Sequence, residues 1–175
     1  MRRRTLVTGF LGFGRFIMNP SAELARTCGR QFELLEVSYA AADAFVASLH
    51  TRNFDRFLML GVCGHATRPK LERVARNRVN GDSDVSGVVR GPGPIDQTAP
   101  DVLTSTLLID GLCDASDDAG AYLCNYLFFR VAQALQASHE MRFGFLHVPP
   151  ADVMPLDAQR AALERLLDQV EQPDR

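Results

Sequence analysis

The sequence carries no excess of charge of either sign. Its 19 Lys and Arg stand against 21 Asp and Glu, a formal net charge of -2. That balance removes the electrostatic case for nucleic acid or an anionic membrane surface as a partner. There is also no apolar run of membrane-spanning length. The basic start Met1-Arg2-Arg3-Arg4 has the form of a secretory leader, but Gly9, Gly12, Gly14 and Arg15 break up the apolar residues that follow. The expectation is a cytoplasmic protein without a signal peptide. Cysteines are few, at 28, 63, 113 and 124, and their spacing excludes both a zinc ribbon and a Cys-x-x-Cys redox pair. All four are expected to be reduced. A reduced cysteine is ordinarily a small buried hydrophobe, and that is the expectation for Cys28, Cys63 and Cys113. Internal repeats and low-complexity tracts are lacking too. With 46% hydrophobic residues, the chain can bury a core as one domain over residues 1–175, so global disorder is excluded.

What is present is an alternation of strand-like and helical patterns, which predicts an α/β fold. Residues 6–8 and 32–38 read as the first two strands. Between them Asn19-Pro20 is a helix start, with Asn19 as cap, Pro20 in the first helical position and Glu23 in the first turn. A helix is predicted over 40–49. Arg56–Val62 is a continuous apolar run of the kind found in buried parallel strands, and 71–79 reads as extended. Residues 80–100 hold four glycines and three prolines. They predict a loop, with a hairpin around Val85–Arg90. A short helix over 102–109, a strand over 112–116, helices over 120–136 and 156–170, and a strand over 142–147 complete the expectation.

Three segments carry residues with chemistry. Cys124 follows the small-residue stretch Ser116–Ala121 and opens an apolar helical pattern, and the positive end of a helix dipole favours a thiolate. His147 ends a predicted strand, before Pro149-Pro150. Glu72 lies among Arg73, Arg76 and Arg78. Taken singly, each has an ordinary reading: a core cysteine, a structural histidine, a solvated ion pair. Together they fall at or near strand ends, where open α/β sheets gather their sites. A nucleophile, a base and an orienting carboxylate suffice for acyl transfer. A competing signal is Thr8-Gly9-Phe10-Leu11-Gly12-Phe13-Gly14, a glycine turn after a strand. With Glu36 at the end of strand two it invites a nucleotide-binding reading, although the third glycine comes one residue early.

Four motifs in order carry a resemblance. They are Thr8–Gly14 with Asn19-Pro20-Ser21, Glu72-Arg73-Val74-Ala75-Arg76-Asn77, Asp118–Asn125, and Phe145–Pro149. In these the chain resembles the pyroglutamyl peptidase type I family of cysteine peptidases, also called pyrrolidone-carboxylate peptidases. Gly12 departs from the family's proline, His65-Ala66 from the Gly-Arg of many bacterial members, and the 80–100 loop from the usual length and pattern. The resemblance implies a three-layer α/β/α sandwich around a mixed, mostly parallel sheet. It also implies removal of an N-terminal pyroglutamyl residue from peptides by Cys124, His147 and Glu72, without cofactor or metal. Phe10 and Phe13 would flank the lactam ring, and Tyr122 and Leu123 would close the slot. A peptide is the implied partner, not nucleic acid or a membrane, and the sequence leaves a homo-oligomer open. Two other readings stand beside it. A non-catalytic relative would fold without turnover, and a nucleotide-binding protein would be indifferent to thiol alkylation.

Overall fold

The computed structural model describes residues 4–107 and 111–172. Residues 1–3, which hold most of the basic N-terminal run, and 108–110, the end of the helix predicted over 102–109, lie outside the described residues.

Eight strands and four α-helices are described: β1 (Thr5–Phe10), α1 (Pro20–Thr27), β2 (Gln31–Leu35), α2 (Tyr39–Ser48), β3 (Arg56–Val62), β4 (Lys70–Glu72), β5 (Val74–Arg76), β6 (Val102–Thr104), β7 (Asp114–Ser116), α3 (Leu123–Leu135), β8 (Arg142–Val148) and α4 (Leu156–Val170). The main sheet has the order β2-β1-β3-β8-β4-β7. β2, β1, β3 and β8 are parallel, as the buried run of β3 demands. β4 turns against β8 and is antiparallel to it, and β7 pairs parallel with β4. β5 and β6 form a separate antiparallel ribbon.

Alternation along the strands sorts side chains into two layers. Leu6, Phe10, Phe57, Met59, Phe143 and Phe145 pack with α2 and α3 in one core. Val7, Leu58, Leu60, Leu146 and Val148 pack with α1 and α4 in the other. The chain is therefore a three-layer α/β/α sandwich. Phe128 of α3 lies 6.4 Å from Phe143 and 5.7 Å from Phe145. Fully buried phenylalanines stabilise by about 1.5–3 kcal/mol each, so α3 is held against β8 by its most apolar face. Among the described residues no helix is long and apolar enough to cross a membrane.

Local signals account for most element ends. Asn19 Oδ1 accepts from the Ser21 amide at 3.0 Å and caps α1, and Ser38 Oγ caps α2 from the Ala41 amide at 3.1 Å. Two expectations are corrected. Residues 102–104 form β6, not the start of a helix, because their amides and carbonyls pair with β5. The Cys124 helix begins at Leu123, not Gly120. Gly120 has a φ of 82°, outside helical space, and its amide is held by Asp118 Oδ1 at 3.0 Å. The 80–100 segment is the predicted loop, with a narrow hairpin closed by Ser83 and Val89.

Candidate active site

His147 and Glu72 owe their meeting to the antiparallel turn of the sheet. On β8 the side chains of Phe145 and His147 share the α3 face. β4 enters opposite them, with Glu72 in register with Phe145 and Lys70 with His147. Glu72 thus lies on the same face, diagonally across from the imidazole. His147 Nδ1 and Glu72 Oε1 are 2.7 Å apart, and the two residues are 5% and 1% exposed. Glu72 Oε2 is buried without a hydrogen-bond partner among the described residues. A carboxylate with a single partner is expensive to bury, and packing alone gives no reason to keep one there.

Cys124 is the second residue of α3, where helix amides have no acceptor within the helix. It reaches the same face of the sheet from above. Gly61 of β3 pairs with His147, and a Cβ on Gly61 would lie 2.6 Å from Cys124 Sγ and 2.9 Å from the Phe145 ring. The absence of a side chain at 61 therefore leaves the space that the thiol occupies. Burial opposes a charge on His147, but Cys124 and Glu72 beside the ring more than offset it. The His147 pKa is raised to about 10. The three residues chosen from the sequence are thus brought together from three elements.

Asn125 fixes the depth of α3. Wholly buried, it accepts from the Arg76 amide at 2.9 Å and donates to the carbonyls of Arg76 and Arg78 at 2.8 and 2.9 Å. It ties the helix start to β5, two residues beyond β4. Neither Asn125 nor Gly61 stood out as functional in the sequence. Asn125 lay within the cysteine motif, and Gly61 sat at the end of the apolar run of β3.

The other expected residues divide in two. Phe10 and Leu123 are 2% and 1% exposed and belong to the larger core. Phe13 and Tyr122 are half-buried and pack against that core alongside Cys124. Tyr122 also points its hydroxyl at the Ser83 carbonyl, 2.9 Å away, and the Asn80 amide donates to the Ala121 carbonyl at 2.8 Å. The glycine-rich loop is thereby tied to the segment before the nucleophile. Arg90, midway along the loop, lies 2.9 Å from Asp43 Oδ2.

The remaining cysteines are all free. Only Cys28 is fully buried as expected, and burial pushes its thiol pKa up. Cys63 and Cys113 are half-buried, a correction to the expectation for both. Burial likewise raises the Cys113 pKa, while Cys63 Sγ lies 3.4 Å from the exposed His65 Nε2. The glycine turn has a packing role. A Cβ on Gly9 would meet the Ser21 carbonyl oxygen at 2.3 Å, so Gly9 lets α1 pack close on β1. The turn does not open directly into a helix, since α1 begins only at Pro20; a dinucleotide fingerprint needs that junction.

A family model for pyroglutamyl peptidase matches residues 3–161. The chain belongs to the pyroglutamyl peptidase family. Among its relatives is the pyrrolidone-carboxylate peptidase of Vibrio vulnificus (strain YJ016), 29% identical over 97% of this chain and 90% of that protein. Another is pyroglutamyl-peptidase 1 of Homo sapiens, 27% identical over 99% of this chain and 94% of that protein. In fold, the chain is similar to the crystal structure of pyroglutamyl peptidase I from Bacillus amyloliquefaciens. The TM-score is 0.86, at 23% identity, over 98% of this chain and 95% of the other.

Proposed function

We propose that this chain is a cysteine exopeptidase that hydrolyses the amide bond after an N-terminal pyroglutamyl residue. The observation that carries the reading is the buried His147–Glu72 pair beside Cys124, within the sequence blocks shared with the family. His147 takes the proton of Cys124, with Glu72 orienting the ring and supporting its charge. The sulfur attacks the pyroglutamyl carbonyl, and amides at the start of α3 hold the oxyanion. His147 then protonates the leaving amine, and the Cys124 thioester is released by water. Phe13 and Tyr122 present partly open faces to the lactam, and Phe10 and Leu123 support them from the core.

A lactam is neutral and has no free amine, so a slot of rings and backbone groups suits it. Proline has a similar ring but a basic secondary amine and no lactam carbonyl. Its ammonium would enter that slot unpaired, at a cost of several kcal/mol, and sites built for hydrogen bonds reject analogues that lack them. Pyroglutamyl-amides are expected to be cleaved at least a hundredfold faster than matched prolyl-amides, read as kcat/KM. Phe13→Ala is expected to raise KM about tenfold with a smaller change in kcat, because it removes ring packing. Equal cleavage of the two substrates by the unmodified protein would exclude a lactam-reading slot.

Gly61→Ala tests the placement of the thiol. The added methyl has to displace Cys124 Sγ or the Phe145 ring. A shift of about 1 Å at a reacting atom costs on the order of a hundredfold in rate. The expected result is a drop of that size in kcat with the fold retained by circular dichroism. Unchanged kcat would mean that the thiol has room to spare.

A further inference from the structure

Three segments leave the proposed catalytic cluster and meet again around one cavity. Phe13 bridges to Phe16, their rings 5.8 Å apart. The chain runs on past the end of β3 to Gly64, and past the end of β8 to Pro150. The two strand ends are joined where the Cys63 amide donates to the Val148 carbonyl at 2.9 Å. The cavity is about 410 Å³, and its lining includes Arg15, Phe16, Ile17, Met18, Gly64, Pro150 and Val153. That size is within the range of small-ligand sites. Ile17, Met18 and Val153 are 85%, 75% and 50% exposed. Exposed apolar side chains gathered at a cavity mark a contact surface. Charge is balanced, since Arg15 and Asp152 both line it. Arg15 also lies over the Phe16 ring, 4.9 Å from its centre, and reaches the Gly64 carbonyl at 3.4 Å.

We infer that this cavity receives the side chain of the residue that follows pyroglutamate, and that it favours an apolar one. The inference rests on the proposed exopeptidase reading. In that reading His147 protonates the departing amine, so the leaving peptide lies on the His147 side of the lactam slot. Arg15 and Phe16 follow Phe13 by two and three residues, and Pro150 follows His147 by three, so the chain that lines the cavity departs directly from both. A short leaving peptide would cover Ile17, Met18 and Val153 while its first amide stays at the imidazole.

The test compares pyroglutamyl-leucinamide with pyroglutamyl-glycinamide, together with a pyroglutamyl fluorogenic amide as reporter. The proteins are the unmodified chain, the double variant Ile17→Ser/Met18→Ser, and Val153→Ser. The unmodified chain is expected to favour the leucine substrate about tenfold in kcat/KM, since a few methylenes in an apolar site are worth at least that much. In the double variant the ratio is expected to fall toward one. Val153→Ser reads the same ratio should the double variant fail to fold. Reporter cleavage with equal rates on the two dipeptides overturns this inference alone. So does a ratio that persists in the variants, including the case in which they lower the mass in solution and mark the patch as a contact between copies. No cleavage of any of the three substrates overturns the exopeptidase reading and this inference with it.

Discussion

Cys124→Ala is expected to reduce hydrolysis of a pyroglutamyl-amide by about 10⁴-fold or more, while Cys63→Ala and Cys113→Ala retain most of the activity. Loss of a nucleophile that acts in concert with its base removes nearly all catalysis, because the base has nothing left to activate. The four cysteines differ in surroundings, not in oxidation state. Only Cys124 stands over Gly61 beside His147, and Cys113 is pushed up in pKa by burial. Cys63 has an imidazole nearby, but it is the exposed His65, on the loop after β3. The check is kcat/KM for each purified variant, with iodoacetamide on the unmodified protein as a chemical counterpart. Full turnover by Cys124→Ala would remove the thiol from the mechanism.

His147→Ala is expected to be nearly as damaging, since in the proposed mechanism it removes both base and acid. Glu72→Gln keeps the shape of the partner and loses its charge, and a loss of about a hundredfold is the expected size for such a group. The pair also has a signature in stability. The His147 pKa is raised to about 10 in the folded protein, above the value of about 6.5 for an unperturbed imidazole. A raised pKa means the fold binds the proton more tightly than the unfolded chain does. Its stabilisation is complete below about 6.5 and is lost as pH rises through about 10. The melting temperature of the unmodified protein is therefore expected to decline from pH 6.5 to 10, with a shallower decline in His147→Ala. Parallel profiles for the two would show that the imidazole takes no extra proton on folding. Unchanged kcat/KM in Glu72→Gln would make the carboxylate a structural element only.

Local patterns were legible where the chain makes its own case. The span of β3 follows from an uninterrupted apolar run, and α4 from an amphipathic repeat. The start of α1 follows from Asn19-Pro20, whose cap the structure contains. The segment Val102–Thr104 misled because its short apolar run is equally compatible with helix and strand. Its pairing with β5 decides the matter, and that partner lies far away in sequence. The pattern of small residues through Gly120 and Ala121 points to an earlier start for α3 than Leu123, because the turn held by Asp118 leaves no mark in it. The candidate site residues could be named from motifs, but their geometry could not. Gly61 matters only because α3 descends onto it, and Asn125 only because β5 passes beneath.

The three-residue length of β4 sets a constraint that the longer strands bear less tightly. Side chains on a strand alternate between faces, so a slip of one residue exchanges the entire set. Glu72 faces the imidazole only while it stands opposite Phe145. Slipped by one position, β4 would offer Leu71 or Arg73 in its place: a hydrocarbon, or a cation pressed against a cationic ring. Length changes in the connection over residues 63–69 can be absorbed before the strand begins. A single inserted or deleted residue between Lys70 and Glu72 cannot, because the three-residue strand has no spare pairing with which to restore its phase. The shortest strands of the sheet thus carry its strictest counting.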